Sequence, residues 1–194
     1  MPLFSSTYLK EIANSNKDIL RNIILNESRS VNNYFDIFLS HSYLDRDEIG
    51  GLYMALTKKG YSVYVDWIVD PHLDRDHVTK ETALLIRERM KSSKSLLLAV
   101  STNAQMSKWM PWELGFVDGH VSRCAIVPVS KEGPAPHTFK RFEYLLLYPY
   151  LKRATINYSD ELIITEAAHS YVDFNRWLKS EINPGYQHTN IDEL

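Results

Sequence analysis

The sequence has a single cysteine, Cys124, so the chain can form neither an internal disulfide nor a cluster of thiolate metal ligands. It has no apolar run near the roughly 18 residues that a helix needs to cross a bilayer. Its first residues lack the basic and then apolar pattern of a secretory signal. We therefore expect a soluble cytoplasmic protein that has no membrane partner.

An excess of one charge is also missing. The formal net charge is −2, and acidic and basic residues are interspersed without long runs. A chain without a basic stripe is a poor partner for nucleic acid, so nucleic-acid binding is not expected. The patterns Gly-x-Gly-x-x-Gly and Gly-x-x-x-x-Gly-Lys are absent as well, which disfavours the usual phosphate-cradling nucleotide sites.

What the sequence does have is an alternation of short apolar runs with segments of helical spacing. Almost wholly apolar runs are typical of strands buried on both faces of a parallel sheet, and this alternation predicts an open α/β sheet. We predict strands at residues 34–39, 61–65, 95–101, 125–129 and 144–148. We predict helices at residues 45–59, 79–91 and 171–182 and around Glu113, with a loop at residues 67–78.

The first residues differ from the rest of the chain. Residues 1–33 are polar and rich in Asn and Ser, show no strand signal, and carry one amphipathic pattern at residues 9–25. We therefore predict an N-terminal helical extension at residues 1–33 and a main domain at residues 34–150. Residues 151–194 are predicted to form a C-terminal helix and a polar tail that pack on this domain.

Three of the predicted strands end in polar residues. In open α/β sheets, ligands bind beyond the carboxyl ends of the strands, so these ends define the candidate site. They are Ser40-His41-Ser42, Asp66-Trp67 and Ser101-Thr102. The third end has no aspartate that could accept a phosphoryl group, which argues against a response-regulator receiver, and it leads toward Glu113.

The segment around Glu113 is the most informative part of the chain. Trp109 lies four residues before Glu113 and Phe116 three after it, and residues at these spacings share a face of a helix. This pattern predicts a carboxylate beside bulky apolar walls, suited to meeting a positive charge in a water-poor site. Pro111 fits if the helix begins near Met110, since proline is tolerated in the first turn. Trp109 would then leave this face.

Taken in order, these pieces resemble a Toll/interleukin-1 receptor (TIR) domain. The matching pieces are residues 35–42, Asp66 with the loop after it, residues 95–101, and residues 107–114 with the pattern Ser-x-Trp-x-x-x-Glu. The resemblance covers residues 34–150. It implies a flavodoxin-like open sheet of five parallel strands with helices on both faces. The Trp-Met-Pro-Trp-Glu-Leu-Gly form is similar to stand-alone bacterial members, some of which act in antiphage systems such as Thoeris.

The resemblance implies cleavage of NAD⁺, because many TIR domains break its bond between nicotinamide and ribose. Glu113 matches the essential carboxylate of the family. The loop that starts at Ser40, His41 and Ser42 would line the ribose and nicotinamide region. The loop after the second strand, with Asp66 and Trp67, would gate the site or contact a neighbouring copy, and Trp109 is a candidate substrate contact. NAD⁺ would be the substrate, with no further cofactor and no metal.

One carboxylate can suffice for this chemistry. Ordinary glycosides need an acid to protonate the leaving oxygen, but nicotinamide leaves NAD⁺ as a neutral molecule. The barrier lies in oxocarbenium charge on the ribose, which a carboxylate such as Glu113 stabilises strongly at low local dielectric. Attack by water would give ADP-ribose, and attack from within the same molecule would give a cyclic product. A separate effector protein would read this product as a signal.

Two other functions remain open from the sequence. The chain could be a non-catalytic TIR scaffold that acts through TIR–TIR association, although a pure scaffold has no need of Glu113. It could also be a nucleoside-processing enzyme of the same α/β class, similar to nucleoside deoxyribosyltransferases. A screen with deoxynucleosides would separate this enzyme from an NAD⁺-cleaving one. TIR enzymes often require assembly, so self-association is expected in either TIR case.

Several candidate residues also have simpler interpretations. Trp109 and Trp112 would serve equally as packing residues, and the polar residues at 40–42 as turn residues. The acidic segment at residues 66–77 does not match the spacing of a calcium loop, so we expect its carboxylates to cap a helix and to pair with Arg75. Cys124 is predicted to be buried packing. The members of the acidic segment are Asp66, Asp70, His72, Asp74, Asp76 and His77.

Overall fold

In the computed structural model, one mixed sheet organises the chain. The structure describes residues 4–27, 34–73, 79–130, 143–156, 158–167, 170–179 and 187–188. Within these residues the strand order is β3-β2-β4-β5-β6-β7-β8-β9, and β1 pairs with β5. The strands are β1 (Phe4–Ser5), β2 (Ile37–Ser40), β3 (Val63–Tyr64), β4 (Leu96–Val100), β5 (Cys124–Ser130), β6 (Tyr150–Ile156), β7 (Ser159–Ala167), β8 (Ser170–Asp173) and β9 (Gln187–His188).

Helices cover both faces of this sheet. Ile37 and Leu39 of β2 belong to one buried cluster, which includes Leu9 and Leu52, while Phe38 belongs to a second. Alternate residues of a strand point to opposite faces, so the two clusters lie on opposite sides of the sheet. The helices are α1 (Ser6–Ser15), α2 (Lys17–Glu27), α3 (Arg46–Lys58), α4 (Asp66–Val69), α5 (Lys80–Lys91), α6 (Met110–Val121) and α7 (Phe174–Lys179).

The parallel part of the sheet confirms the predicted fold class. β2 pairs in parallel with β3 and β4, β4 with β5, and β5 with β6, so these five strands form the predicted parallel sheet, and the short β1 adds a further parallel pair with β5. The first four predicted strands are confirmed with changed bounds: the first three are shorter than predicted, and β5 is longer by one residue at each end. The fifth is not where the sequence placed it, because residues 143–147 form a 3₁₀ helix and the strand begins at Tyr150.

The apolar run at residues 144–148 is misleading because only part of it is buried. Leu145 is 3% exposed, whereas Leu146 and Leu147 are 74% and 78% exposed. A strand inside a sheet would bury such residues, and a single turn of helix does not. Apolar composition at this point therefore predicts the wrong element.

The predicted C-terminal helix is also corrected. Its first residues join the sheet, since Tyr171 and Val172 of β8 pair antiparallel with β7. The helix α7 begins at Phe174, where Asp173 Oδ1 accepts a hydrogen bond from the Arg176 amide at 3.0 Å and caps the first turn. Residues 180–182 of the prediction lie outside the described residues.

The N-terminal segment contains a strand and two helices rather than one helix. Phe4 of β1 pairs in parallel with Val129 of β5. Strand β1 has only two residues, too few to leave a pattern in the sequence. The predicted helix at residues 9–25 is divided at Asn16, whose side chain bonds to the Ile12 carbonyl at 2.8 Å. Phe4 and Leu9 are 1% and 0% exposed, so this segment contributes to the larger core.

The glycine pair at residues 50–51 admits this N-terminal segment. A Cβ on Gly51 would lie 1.9 Å from the Leu9 carbonyl oxygen, so α1 can approach α3 only because residue 51 lacks a side chain. A Cβ on Gly50 would lie 3.1 Å from Leu20 Cδ2 and 3.7 Å from Trp67. The pair therefore packs against α1, α2 and α4.

A short helix replaces the start of the loop predicted at residues 67–78. Helix α4 begins at Asp66, directly after β3. Asp70 follows α4 and is held by Arg89 of α5, with Nη2 to Oδ1 at 2.9 Å, and by the Tyr64 hydroxyl at 3.0 Å. These contacts fix α4 against the sheet. Among the described residues, no helix is long and apolar enough to span a membrane.

Candidate active site

The carboxylate of Glu113 is completely buried. Glu113 lies in the first turn of α6 and is 0% exposed. The hydroxyl of Ser40, the last residue of β2, donates a hydrogen bond to Glu113 Oε2 at 2.6 Å. This length is typical of a bond to an ionised carboxylate. The contact joins residues 73 apart and places Glu113 at the sheet edge where α/β folds bind ligands.

The beginning of α6 sets the position of Glu113. The helix starts at Met110 with Pro111 in its first turn, as the sequence predicts. Trp109 occupies the capping position, and its carbonyl accepts a hydrogen bond from the Glu113 amide at 2.9 Å. The Ser107 hydroxyl accepts one from the Met110 amide at 3.3 Å. The Ser-x-Trp-x-x-x-Glu pattern therefore includes the start of this helix.

Aromatic rings run along α6 in a series that the sequence only partly predicts. The ring centroids of Trp109 and Trp112 are 5.4 Å apart, and those of Trp112 and Phe116 are 6.1 Å apart. Trp112 is 39% exposed, whereas Glu113 is 0% exposed. The sequence predicts that Trp109, Glu113 and Phe116 cluster, and this prediction is wrong for Glu113. The ring of Trp112 joins those of Trp109 and Phe116, whereas the Glu113 side chain is directed into the core.

His41 braces β2 against α4. Its Nδ1 lies 2.9 Å from the Leu39 carbonyl, which can only accept a hydrogen bond, so Nδ1 carries the proton. Its Nε2 accepts from Trp67 Nε1 at 3.2 Å and lies 3.5 Å from Asp66 Oδ1. His41 and Asp66 are 2% and 4% exposed. The sequence places these residues at two separate strand ends, and the structure brings them into one cluster.

An open cleft of about 440 Å³ lies beside these groups. Its wall includes Ser42, Asp66, Trp67 and Trp109, which are four of the seven site residues predicted from the sequence. The other three, Ser40, His41 and Glu113, are not part of the wall and are at most 2% exposed. The site therefore has two layers, an accessible aromatic cleft and a buried polar cluster next to it.

Two cationic side chains that were not predicted as site residues, Lys108 and Arg46, lie at this cleft. Lys108 is part of its wall. Arg46, the first residue of α3, lies with Cζ 4.5 Å from the centroid of a Trp67 ring, and its Nη1 donates to the Tyr43 hydroxyl at 3.2 Å. Cation–π contacts of this kind stabilise a guanidinium on a tryptophan face. The stacked Arg46 fixes one side of Trp67.

Asp45 is a buried carboxylate near the cleft that the sequence analysis did not single out. Asp45 is 4% exposed and accepts hydrogen bonds from Ser101 Oγ at 2.5 Å and Asn103 Nδ2 at 2.7 Å. Ser101 marks a strand end in the sequence, but Asp45 reads only as the start of a helix. No local spacing could reveal a contact between residues 56 apart.

Asp70 and Cys124 have structural rather than catalytic surroundings. Within the described ranges, no group of three His, Cys, Asp or Glu residues could hold a metal ion. Asp70 pairs with Arg89, and Asp74, Arg75, Asp76 and His77 lie outside those ranges. Cys124 is buried, and burial raises the pKa of its thiol to about 12, so it is not a thiolate nucleophile near neutral pH.

A larger groove of about 740 Å³ lies elsewhere, between α1, α3 and the β6–β7 hairpin. Its wall includes Tyr8, Met54 and Arg153 and none of the predicted site residues. Size alone therefore does not identify the functional site. The smaller cleft is the better candidate because it adjoins the buried carboxylate at the carboxyl edge of the parallel strands.

Comparison with known proteins gives one family and two relatives. The family model described as "TIR domain" matches residues 37–182. A Bacillus cereus (strain MSX-D12) protein named "Probable 3' cyclic ADP-D-ribose synthase ThsB'" is 47% identical over 165 residues, or 84% of each chain. A Cytobacillus dafuensis protein named "Putative cyclic ADP-D-ribose synthase TIR2" is 33% identical over 102 residues, which cover 51% of this chain and 26% of that protein.

Proposed function

The chain belongs to the TIR domain family, and from this premise we propose that it cleaves NAD⁺ to nicotinamide and a cyclic ADP-ribose-type nucleotide. The observation that carries the proposal is the buried carboxylate of Glu113, held by Ser40 beside an aromatic cleft. The names of both relatives, as cyclic ADP-D-ribose synthases, support the cyclic product.

The reaction needs one bond to break and one to form. The bond between C1 of the ribose and the nicotinamide nitrogen breaks, and its electron pair leaves with nicotinamide, which becomes neutral. The positive charge then lies on the ribose, where the Glu113 carboxylate stabilises it. An electron pair from another atom of the same dinucleotide closes the new bond to C1, and the attacking group releases a proton, which balances the charge. Attack by water instead, with loss of a proton, gives ADP-ribose.

Burial of Glu113 has a consequence for substrate binding. A carboxylate that is 0% exposed cannot touch a ligand in the cleft without movement of the wall between them. We propose that the bound dinucleotide displaces part of this wall, where Trp109 lies one helical turn before Glu113. The displacement would bring ribose and carboxylate together while keeping bulk water out. A site that excludes water favours cyclisation over hydrolysis.

The other predicted residues take supporting roles in this proposal. Ser40 orients the carboxylate through its hydrogen bond. Trp67 and Trp109 offer ring faces for the nicotinamide or adenine, and Ser42 offers a hydroxyl. His41 holds Trp67 in place by accepting a hydrogen bond from its indole N–H. Asp66 belongs to the cleft wall next to Trp67.

A direct assay tests the proposed function. Purified protein is incubated with NAD⁺ and, in parallel, with a set of deoxynucleosides, and the products are separated by liquid chromatography. Release of nicotinamide supports the proposal. Base exchange among deoxynucleosides with intact NAD⁺ would instead identify a deoxyribosyltransferase-like enzyme, and no turnover in either reaction at high protein concentration would favour a scaffold.

Removal of the Ser40 hydroxyl is expected to slow the reaction without abolishing it. In Ser40→Ala, Glu113 loses its short hydrogen bond, and we expect kcat for NAD⁺ cleavage to fall about 10- to 100-fold. Ser95→Ala is the matched control, because Ser95 is equally buried and donates to the Asp36 carbonyl at 2.8 Å, away from the carboxyl ends of the strands. Equal losses in the two variants would show that the Ser40 effect is not specific to the site.

We propose that a second copy of the chain completes the site. The cleft rim carries exposed apolar side chains, with Leu44 64% and Met106 74% exposed. Apolar groups in such positions commonly mark contacts between proteins. Specific activity should therefore rise with protein concentration over a dilution series, followed by nicotinamide release. Strictly proportional turnover across a wide range would contradict this expectation.

We propose that the nucleotide serves as a signal in antiphage defence and that a separate effector protein reads it. The resemblance to stand-alone bacterial TIR proteins supports this role. Bacteria that carry the chain with its neighbouring genes should resist phage better than bacteria with Glu113→Gln in the same setting. Equal plaque counts would argue against a defensive role while leaving the NAD⁺ reaction itself open to the direct assay.

A further inference from the structure

Asp45 connects two loops that belong to different strands. It follows β2 by five residues, and its two carboxylate oxygens accept hydrogen bonds from Ser101 and Asn103, which follow β4. The backbone N–H of Asn103 also donates to Ser101 Oγ at 2.9 Å, so the three residues form a closed ring of hydrogen bonds. We call Asp45, Ser101 and Asn103 the loop clamp.

The two loops joined by the clamp continue into two separate segments of the cleft wall. On one side, residues 42–44 directly precede Asp45 and contribute to the wall. On the other side, residues 106–109 follow Asn103 closely and also contribute to it. This second segment leads into α6 through the hydrogen bond between Ser107 and the Met110 amide. The separation of the two parts of the wall therefore depends on the clamp.

The position of Asp45 also argues against a purely local role. Asp45 precedes the first residue of α3, where aspartate usually caps the helix with its side chain. No such capping bond is made here. The carboxylate instead turns toward the β4 loop and is 4% exposed, and a buried carboxylate is retained only where its hydrogen bonds are satisfied.

We infer that Asp45 is a positioning residue that sets the width of the cleft and thereby the choice between cyclisation and hydrolysis. The inference rests on the proposed NAD⁺ cleavage at the same site. With the clamp in place, the cleft holds the dinucleotide folded and keeps water from C1 of the ribose. When the clamp is broken, the walls separate, substrate is held less tightly, and water competes for the same carbon.

The test compares Asp45→Ala with Asp45→Asn. Alanine removes both contacts. Asparagine retains both contacts. Its side-chain oxygen accepts the hydrogen bond from Ser101, and its side-chain amide donates to the Asn103 side-chain oxygen once the Asn103 amide group has turned over. We expect Asp45→Ala to raise KM for NAD⁺ about tenfold and to increase the share of ADP-ribose among the products severalfold. Asp45→Asn should restore both values to within about threefold of the parent.

Two further variants guard against a trivial loss of folding. Asn103→Ala removes only one contact of the clamp and should give an intermediate shift of KM and of the product ratio. Asp36→Ala is the matched control, because Asp36 similarly fastens two segments through Ser62 at 2.9 Å and Lys94 at 2.8 Å, beside the amino ends of the strands. It should leave KM and the product ratio unchanged.

Both readouts are compared at equal concentrations of folded protein, at which misfolded molecules alter neither KM nor the product ratio. If the parent cleaves NAD⁺ but Asp45→Ala and Asn103→Ala leave KM and the product ratio unchanged, the role of the clamp is overturned and the proposed function stands. Failure of Asp45→Asn to restore the parent values would overturn it as well. A parent that does not cleave NAD⁺ would overturn the proposed function and this inference with it.

Discussion

Glu113→Gln is expected to reduce nicotinamide release from NAD⁺ by about 10²- to 10³-fold, the loss typical of removing a group that stabilises transition-state charge. The amide is neutral, so it cannot offset the positive charge that develops on the ribose. Its oxygen can still accept the hydrogen bond from Ser40, so the local packing should persist. The measurement is the initial rate of nicotinamide release at saturating NAD⁺.

Glu48→Gln supplies a matched control for this experiment. Glu48 is 9% exposed and accepts a hydrogen bond from Ser6 Oγ at 2.6 Å, the same distance as between Ser40 and Glu113. It lies on α3 against the N-terminal segment and does not border the cleft. Glu48→Gln should keep the rate within about threefold of the parent, whereas near-parental activity in Glu113→Gln would remove Glu113 from the reaction.

The second large effect concerns stability. Gly51→Ala should lower the free energy of unfolding by about 3 kcal/mol, at the upper end of what overpacking costs. The new Cβ would meet the Leu9 carbonyl oxygen at 1.9 Å, which is backbone and cannot rotate away. Helix α1 would have to move off α3, separating Leu9 from the core. The measurement is equilibrium unfolding in urea with the midpoint and slope fitted together.

The neighbouring glycine distinguishes this clash from loss of glycine as such. In Gly50→Ala, the nearest atom is Leu20 Cδ2 at 3.1 Å, the end of a flexible side chain. Alanine also has the better helix propensity by roughly 1 kcal/mol, so we expect a net change within about 1 kcal/mol of zero. Similar losses in the two variants would contradict the close packing of α1 on α3.

Local patterns in the sequence are enough to predict the parallel part of the sheet. Strands such as β2 and β4 are buried on both faces, so their residues read as continuous apolar runs. Their polar ends also predict a common edge for the candidate site, and Ser40, Asp66 and Ser101 all lie near the same edge of the sheet. This part of the prediction depends only on neighbours in the chain.

The errors arise where burial is decided by distant parts of the chain. Residues 144–148 are as apolar as a strand, yet Leu146 and Leu147 remain exposed in a single turn of helix. Strand β1 has two residues and exists only because β5 offers it a pairing edge. Neither outcome has a signal within a window of ten residues.

The site shows the same division between local and distant information. Glu113 is predictable because its aromatic neighbours and the family pattern lie within ten residues of it. The contacts of Asp45 with Ser101, and of His41 with Trp67, join residues 56 and 26 apart. Such pairs depend on the register of the whole sheet, which no single segment specifies.

The most direct test of the account is the mass of the second product. Purified protein at high concentration is incubated with NAD⁺, and the products are resolved by liquid chromatography and mass spectrometry. We expect nicotinamide together with a nucleotide that has the mass of ADP-ribose less one water, which is the cyclic product. ADP-ribose alone would contradict cyclisation, and recovery of intact NAD⁺ at every protein concentration would show that this chain does not cleave it.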